Sequence, residues 1–167
     1  MRVSVDLEFL AASLRYFDSQ GAFAAAVRDA VGVPLPQPLH VTPAESVANA
    51  ARFMLIWRSP TEILLLSKDS HAFTQLERRL ADAEDGCMVD QSGGIRVVRL
   101  TGSRTGDLLV RLGANELAPS LGEARTGRLA ELQVTAVRVL ADEVLLLVER
   151  VYADHLLEWL AVSARDL

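Results

Sequence analysis

Residues 14–85 recur, degenerate but without a gap, 81 positions later as residues 95–166. Arg15, Gly21, Gly32 and Pro38 align with Arg96, Gly102, Gly113 and Pro119, and Glu62, Leu64, Leu65 and Leu66 align with Glu143, Leu145, Leu146 and Leu147. Ala72, Leu76 and Glu77 then meet Ala153, Leu157 and Glu158. A chain rich in Ala and Leu produces chance identities, but Gly and Pro at the same punctuation points argue for a duplicated supersecondary unit. Duplication restricts the fold to architectures that one element order can build twice. Neither copy carries a recognisable catalytic group.

Each copy reads as β-α-β-β-α. In the first, a strand at 14–17 leads to a helix opened by Ser19 or Gln20, with Phe23, Val27 and Val31 on one face and Gly32 at the C-terminal cap. In the second, Ile95, Val97 and Leu100 form the strand, Thr101-Gly102-Ser103 opens the helix, Leu108, Leu109 and Leu112 form its apolar face, and Gly113 caps it. Hairpins follow: 51–58 with 63–66 about a turn at 59–61, and 132–140 with 144–148 about a turn at 141–143. Ser70 is placed to cap the first closing helix, which buries Phe73, Leu76 and Leu80 and shows Glu77, Arg78 and Arg79 to water. The second runs from about Val151, with Tyr152, Leu156, Trp159 and Leu160 along one face. The order written twice predicts an α+β fold: two small antiparallel or mixed sheets backed by helices, related by a pseudo-two-fold, within one domain spanning 1–167. The strands at 63–66 and 144–148 lack polar alternation, so both of their faces are expected to be covered. Two stretches read as irregular, 33–48 and 114–128. The first holds Pro34, Pro36, Pro38 and Pro43, which remove backbone donors, so an exposed arm is expected there.

Composition narrows the function classes. A domain of 167 residues buries roughly 70% of the surface its unfolded chain exposes, so neither disulfides nor metals are needed to hold it. No apolar run approaches the about 20 residues that a membrane helix needs. Asp6 and Glu8 interrupt the first apolar stretch, so a signal peptide is not expected, and the chain reads as cytoplasmic with no membrane partner. The single cysteine, Cys87, reads as a reduced core thiol. With 17 basic against 22 acidic residues and one lysine, Lys68, the chain has no basic cluster to neutralise phosphates, which excludes nucleic acid.

Candidate chemistry is sparse. His40, His71 and His155 are scattered without chelating spacing, so no metal site is expected. Ser92-Gly93-Gly94 joins two strands and reads as a hairpin turn, not a phosphate cradle. Thr101-Gly102-Ser103 is read as a cap, with anion binding as the other role open to it. Asp90 in an apolar strand could be a general base or a hydrogen-bond acceptor for the following turn. Arg96 and Arg99 could meet an acidic ligand such as a folate tail, or simply face solvent. Trp57 and Trp159 sit at apolar-face positions and suit core or interface. Leu35, Leu39 and Val41 tint the arm apolar, which points to a partner surface that Trp57 or Tyr152 would extend; a loop packed on its own domain accounts for them equally.

The strings VGVPLP (31–36), WRSPTEILLLS (57–67), VDQSGGIRVVRLTGSRTGDLLVRL (89–112) and ERVYADHLLEWL (149–160) together resemble the gamma subunit of heterotetrameric sarcosine oxidase. The middle and C-terminal strings also resemble the folate-binding domain of the glycine-cleavage aminomethyltransferases, itself a duplicated unit. The resemblance implies a non-catalytic assembly subunit, with no cofactor in this chain. Its expected partners are alpha, beta and delta subunits; isolated, it could pair with a copy of itself. The larger subunits of such oxidases carry FAD, NAD and covalent FMN, demethylate sarcosine to glycine, reduce oxygen to hydrogen peroxide and pass the one-carbon unit to tetrahydrofolate. Where the aminomethyltransferases have a Gly-Gly turn followed by paired aspartates, this chain has Arg128-Leu129-Ala130-Glu131-Leu132-Gln133. It departs from the family at Ser59-Pro60, Ile63 and Arg150-Val151-Tyr152-Ala153, so a related amine-demethylating enzyme could own the subunit. The other class is a stand-alone folate-binding protein. Such proteins carry a K-G-C-Y-x-G-Q motif that Gly86-Cys87-Met88-Val89 does not match.

Overall fold

The computed structural model describes residues 1–45, 52–113 and 115–165. Its elements are β1 (Arg2–Asp6), β2 (Leu10–Tyr16), α1 (Ala22–Val31), β3 (Val41–Glu45), β4 (Arg52–Ser59), β5 (Glu62–Ser67), α2 (Ser70–Leu80), β6 (Gly86–Asp90), β7 (Ile95–Thr101), α3 (Thr105–Arg111), β8 (Ala124–Leu129), β9 (Leu132–Leu140), β10 (Glu143–Glu149) and α4 (Ala153–Ser163), with 3-10 turns at Asn115–Leu117 and Arg150–Tyr152. All strand pairs are antiparallel, in two five-stranded sheets ordered β3-β4-β5-β2-β6 and β1-β7-β10-β9-β8. The first sheet lies in a unit formed by Glu8–Ser92, the second in a unit formed by Met1–Leu7 and Gly93–Leu167.

The two topologies match strand for strand, as the repeat predicts: α+β, built twice. Each copy holds one strand more than the predicted order. β3 occupies part of the stretch expected to be an irregular arm, where an edge position tolerates Pro43, and β8 occupies part of 114–128. The outer strands are also exchanged along the chain. β1 precedes the first repeat yet pairs with β7 of the second, whereas β6, just before the second, pairs with β2 of the first. Ser92-Gly93-Gly94 therefore links strands of different sheets and is not a hairpin turn.

The ladders also refine the register of the repeat. Glu62 and Glu143 hold the same place, but Glu62 faces Arg15 while Glu143 faces Thr101, so Thr101 and not Arg96 stands where Arg15 does. The link to the helix is shorter in the second copy, and Gly32 and Gly113 come back into register with left-handed φ values of 81° and 78°. Only a residue without a Cβ adopts that conformation at no steric cost, which is why glycine ends both helical segments.

In the Glu8–Ser92 unit, Ala12, Leu14, Phe53, Leu55, Ile63 and Leu65 pack with Phe23, Val27 and Val31 of α1 and Phe73, Leu76 and Leu80 of α2. In the other, Val98, Leu100, Val134, Val144, Leu146 and Val148 pack with Leu108, Leu109, Leu156 and Leu160. Leu64, Leu66, Leu145 and Leu147, on the opposite faces of β5 and β10, are buried too, as their unbroken apolar runs require. Three caps differ from expectation: Thr101-Gly102-Ser103 does not open α3, which starts at Thr105 behind Arg104 with no side-chain cap hydrogen bond, Thr101 being the end of β7. Asp69, not Ser70, caps α2, accepting from the amides of His71 and Ala72 at 2.9 Å. The first helix opens at Ala22 behind Gly21, not at Ser19 or Gln20.

Candidate functional site

At one end of each sheet a cluster of ionisable groups is engaged internally. Glu62 accepts a hydrogen bond from the Ser13 hydroxyl and lies 3.4 Å from Arg58 and 3.9 Å from Arg15. At the matching end of the other sheet, Arg99 donates to Glu143 and, at 2.8 Å, to Asp6. Burial alone would lower the Arg99 pKa; hydrogen bonds to Asp6 and Glu143, reinforced by their charges, outweigh it and hold the guanidinium above its ordinary value. Arg99 is thus a structural cation and is not a solvent-facing receptor for an acidic ligand. Arg96 is half-buried and donates to the carbonyl of Ile95.

The remaining candidates have structural partners. Asp90 is exposed and accepts from the Ser92 amide at 2.8 Å, while the Ser92 hydroxyl bridges the amide and carbonyl of Ala11. That hydrogen-bonded turn ends β6. His40 bonds the carbonyl of Pro38, His71 meets Gln75, and His155 lies edge-on to Trp159 with ring centroids 6.4 Å apart. Among the described residues no three His, Cys, Asp or Glu side chains are disposed to hold a metal ion. Cys87 is exposed on the edge strand β6 and not in the core. Tyr16 is buried, which pushes its phenol pKa up.

Of the residues expected to form a partner patch, Leu35, Leu39, Val41 and Trp57 lie in the Glu8–Ser92 unit. Leu35 is half-buried against the core of its own unit, Val41 is buried in β3, and Leu39 is exposed at a positive φ of 65°. Leu35 and Val41 thus pack within their own unit, while Pro34, Gln37, Pro38, Leu39 and His40 of the arm are exposed. Trp57 is half-buried, and with Leu35, Tyr16, Arg28, Pro36 and Pro60 it lines an open cleft of about 650 Å³. Tyr152 belongs to the other unit.

A second exposed surface lies around α4, where the spacing of Tyr152, Leu156, Trp159 and Leu160 set all four along one apolar face. Only Ala153, Leu156 and Leu160 of that helix are buried. Tyr152 is 47% exposed, Trp159 48%, Val162 57% and Val151 79%. The sequence carried a signal for this: residues 151–162 hold more apolar side chains than one helix face can bury.

A family model described as sarcosine oxidase, gamma subunit family, matches residues 16–166. The chain belongs to the sarcosine oxidase gamma subunit family. No curated protein matches the sequence. Among solved structures, this gamma-family chain is similar to one from the heterotetrameric sarcosine oxidase of Corynebacterium sp. U-96, with 23% identity and a TM-score of 0.78 over 96% of this chain and 82% of that one. It is also similar to the glycine cleavage system aminomethyltransferase T of Bartonella henselae, with 14% identity and a TM-score of 0.77, covering 98% of this chain and 48% of that one. The regulatory subunit of aspartate kinase from Thermus thermophilus follows at 12% identity and a TM-score of 0.53, covering 99% of both chains. At these identities the structural likeness is one of fold, and the family match carries the assignment.

Proposed function

We propose that this chain is the gamma subunit of a heterotetrameric sarcosine oxidase and that its contribution is to assembly, not to chemistry. The family match over 16–166 is the observation that carries the reading. The alpha, beta and delta subunits would be its cytoplasmic partners and would hold the FAD, FMN, NAD and tetrahydrofolate of the reaction. Local structure supports a role without chemistry. The sheet carboxylates Glu62 and Glu143 are committed to Ser13 and Arg99. The turn matching the aminomethyltransferase Gly-Gly is Ala130-Glu131, and β9 then begins Leu132-Gln133-Val134, without paired acids. Cys87 lies on an edge strand, in a sequence unlike the reactive-cysteine motif of stand-alone folate proteins.

Co-expression with the alpha, beta and delta subunits of a heterotetrameric sarcosine oxidase tests the reading. The tagged chain is expected to retain those subunits, the assembled complex to produce glycine and hydrogen peroxide from sarcosine, and the isolated chain to produce neither. Sarcosine turnover by the isolated chain would overturn the assembly role. Low-micromolar binding of tetrahydrofolate to it, about −8 kcal/mol by calorimetry, would instead favour a folate-binding protein.

A further inference from the structure

The duplication supplies an internal control for the closing helices. Both α2 and α4 complete a unit, and both bury an alanine and leucines against their sheet: Ala72, Leu76 and Leu80 in one, Ala153, Leu156 and Leu160 in the other. The outward face of α2 is what water requires, with His71, Thr74, Glu77, Arg78 and Arg79 exposed. At α4 the outward face is divided. Tyr152, His155, Trp159 and Val162 follow one another at helical spacing down one side, while Asp154 and Glu158 are exposed on the other. The fold does not demand the aromatic side, since α2 closes its unit without one. The helix dipole favours Asp154 in the first turn, but Glu158 lies beyond that turn and, at i+4 from Asp154, is repelled by it, so the helix itself does not call for the second acid.

Tyr and Trp are the side chains that anchor interfaces, and paired acids beside them select a basic rim on whatever covers them. We infer that the Tyr152–Trp159 side of α4 anchors this chain in an apolar groove on a larger oxidase subunit, a groove bordered by arginine or lysine facing Asp154 and Glu158. The inference rests on the gamma-subunit reading. A second copy of this chain fits less well. Each copy carries a net charge of −5, and an antiparallel pairing of two α4 helices lays the acidic flank of one against that of the other.

The test compares co-expressed complexes captured through a tag on this chain: wild type, Trp159→Arg, the double variant Asp154→Lys/Glu158→Lys, and the control Thr74→Arg/Glu77→Lys on α2. Retained flavoprotein is expected to fall about tenfold or more for Trp159→Arg and severalfold for the charge reversal, and to stay unchanged for the α2 control. Melting of each isolated variant, followed by circular dichroism, is expected to stay within a few degrees of wild type; the charge reversal removes no buried group, so it reads docking even if Trp159→Arg unfolds. Full retention by both α4 variants would overturn the α4 anchor and leave the gamma-subunit reading standing. If wild type itself retains no flavoprotein, both fall. A dimer of the isolated chain that Trp159→Arg converts to monomer would assign the face to a second copy and overturn the inference.

Discussion

The two halves of this chain solve one folding problem with different residues, and their differences separate what the fold needs from what it does not. Each sheet needs a glycine where its exchanged outer strand begins. In the Glu8–Ser92 unit it is Gly86, on the outer strand opposite Tyr16; a Cβ there would lie 2.3 Å from the Phe23 ring and 2.5 Å from the Arg15 carbonyl oxygen. In the other unit it is Gly102, just beyond the inner strand β7, with φ of 127° and a Cβ position 3.1 Å from the Cα of Met1. A close backbone approach is common to both, while the residue that yields differs. The polar end of each sheet follows the same logic: a glutamate, Glu62 or Glu143, is common, but its main partner is a serine in one unit and a doubly paired arginine in the other.

The largest expected effect tests the first difference. Gly86→Ala should cost about 3 kcal/mol, because neither a backbone carbonyl nor a buried ring can yield the space, and Gly102→Ala about 2 kcal/mol through its strained φ. Each unit contains one tryptophan, Trp57 or Trp159, so urea titrations in Trp57→Phe and Trp159→Phe backgrounds report the units separately. Equal losses in both signals from either substitution would show that the units unfold as one.

The polar ends differ in what their loss exposes. Arg99→Ala leaves Asp6 and Glu143 without their shared cation; because Arg99 is a quarter exposed, the cost should be about 2 kcal/mol, against about 1 kcal/mol for Ser13→Ala. A cation whose pKa is raised on folding contributes fully below its unfolded pKa and loses that contribution only above it. The Arg99→Ala deficit should therefore be the same at pH 6 and pH 9 by denaturant titration. Tyr16 supplies the contrasting pH window. Its phenol stays protonated in the fold after the unfolded chain begins to ionise near pH 10, so stability should fall as pH rises past about 10, and Tyr16→Phe should remove that part of the alkaline loss while shifting neutral-pH stability by less than about 1 kcal/mol. The smallest effect concerns the turn between β8 and β9. Ala130 and Glu131 have φ of 50° and 66°, so Asn-Gly in their place should raise stability by about 1 kcal/mol, seen as a higher melting temperature.

Much of this architecture was legible because helices and hairpins write themselves into local pattern. The faces Phe23-Val27-Val31 and Phe73-Leu76-Leu80 were readable from spacing alone, and the apolar runs of β5 and β10 announced their two-sided burial. The exchange of β1 and β6 was not legible, since pairing across the chain leaves no mark within a five-residue strand. β3 and β8 were hidden by Pro43 and Gly127, residues that weaken a strand reading yet are tolerated near a sheet edge. Duplicates obscured register as well: matching glycines and arginines without a gap set Arg15 against Arg96, whereas the ladder sets it against Thr101. For the candidate site, periodicity set Tyr152, Leu156, Trp159 and Leu160 on one face and left core or interface open for Trp159, because α4 has more apolar residues than one face can bury; the inward places went to Leu156 and Leu160.

The contrast between α2 and α4 is measured most directly by photo-crosslinking in the assembled oxidase, with a benzophenone side chain placed at Trp159 in one sample and at Arg78 in another. Crosslinks from 159 to a larger subunit, with none from 78, are the predicted result. Crosslinks from 78 and none from 159 would contradict the assignment of the aromatic side of α4 as the docking face.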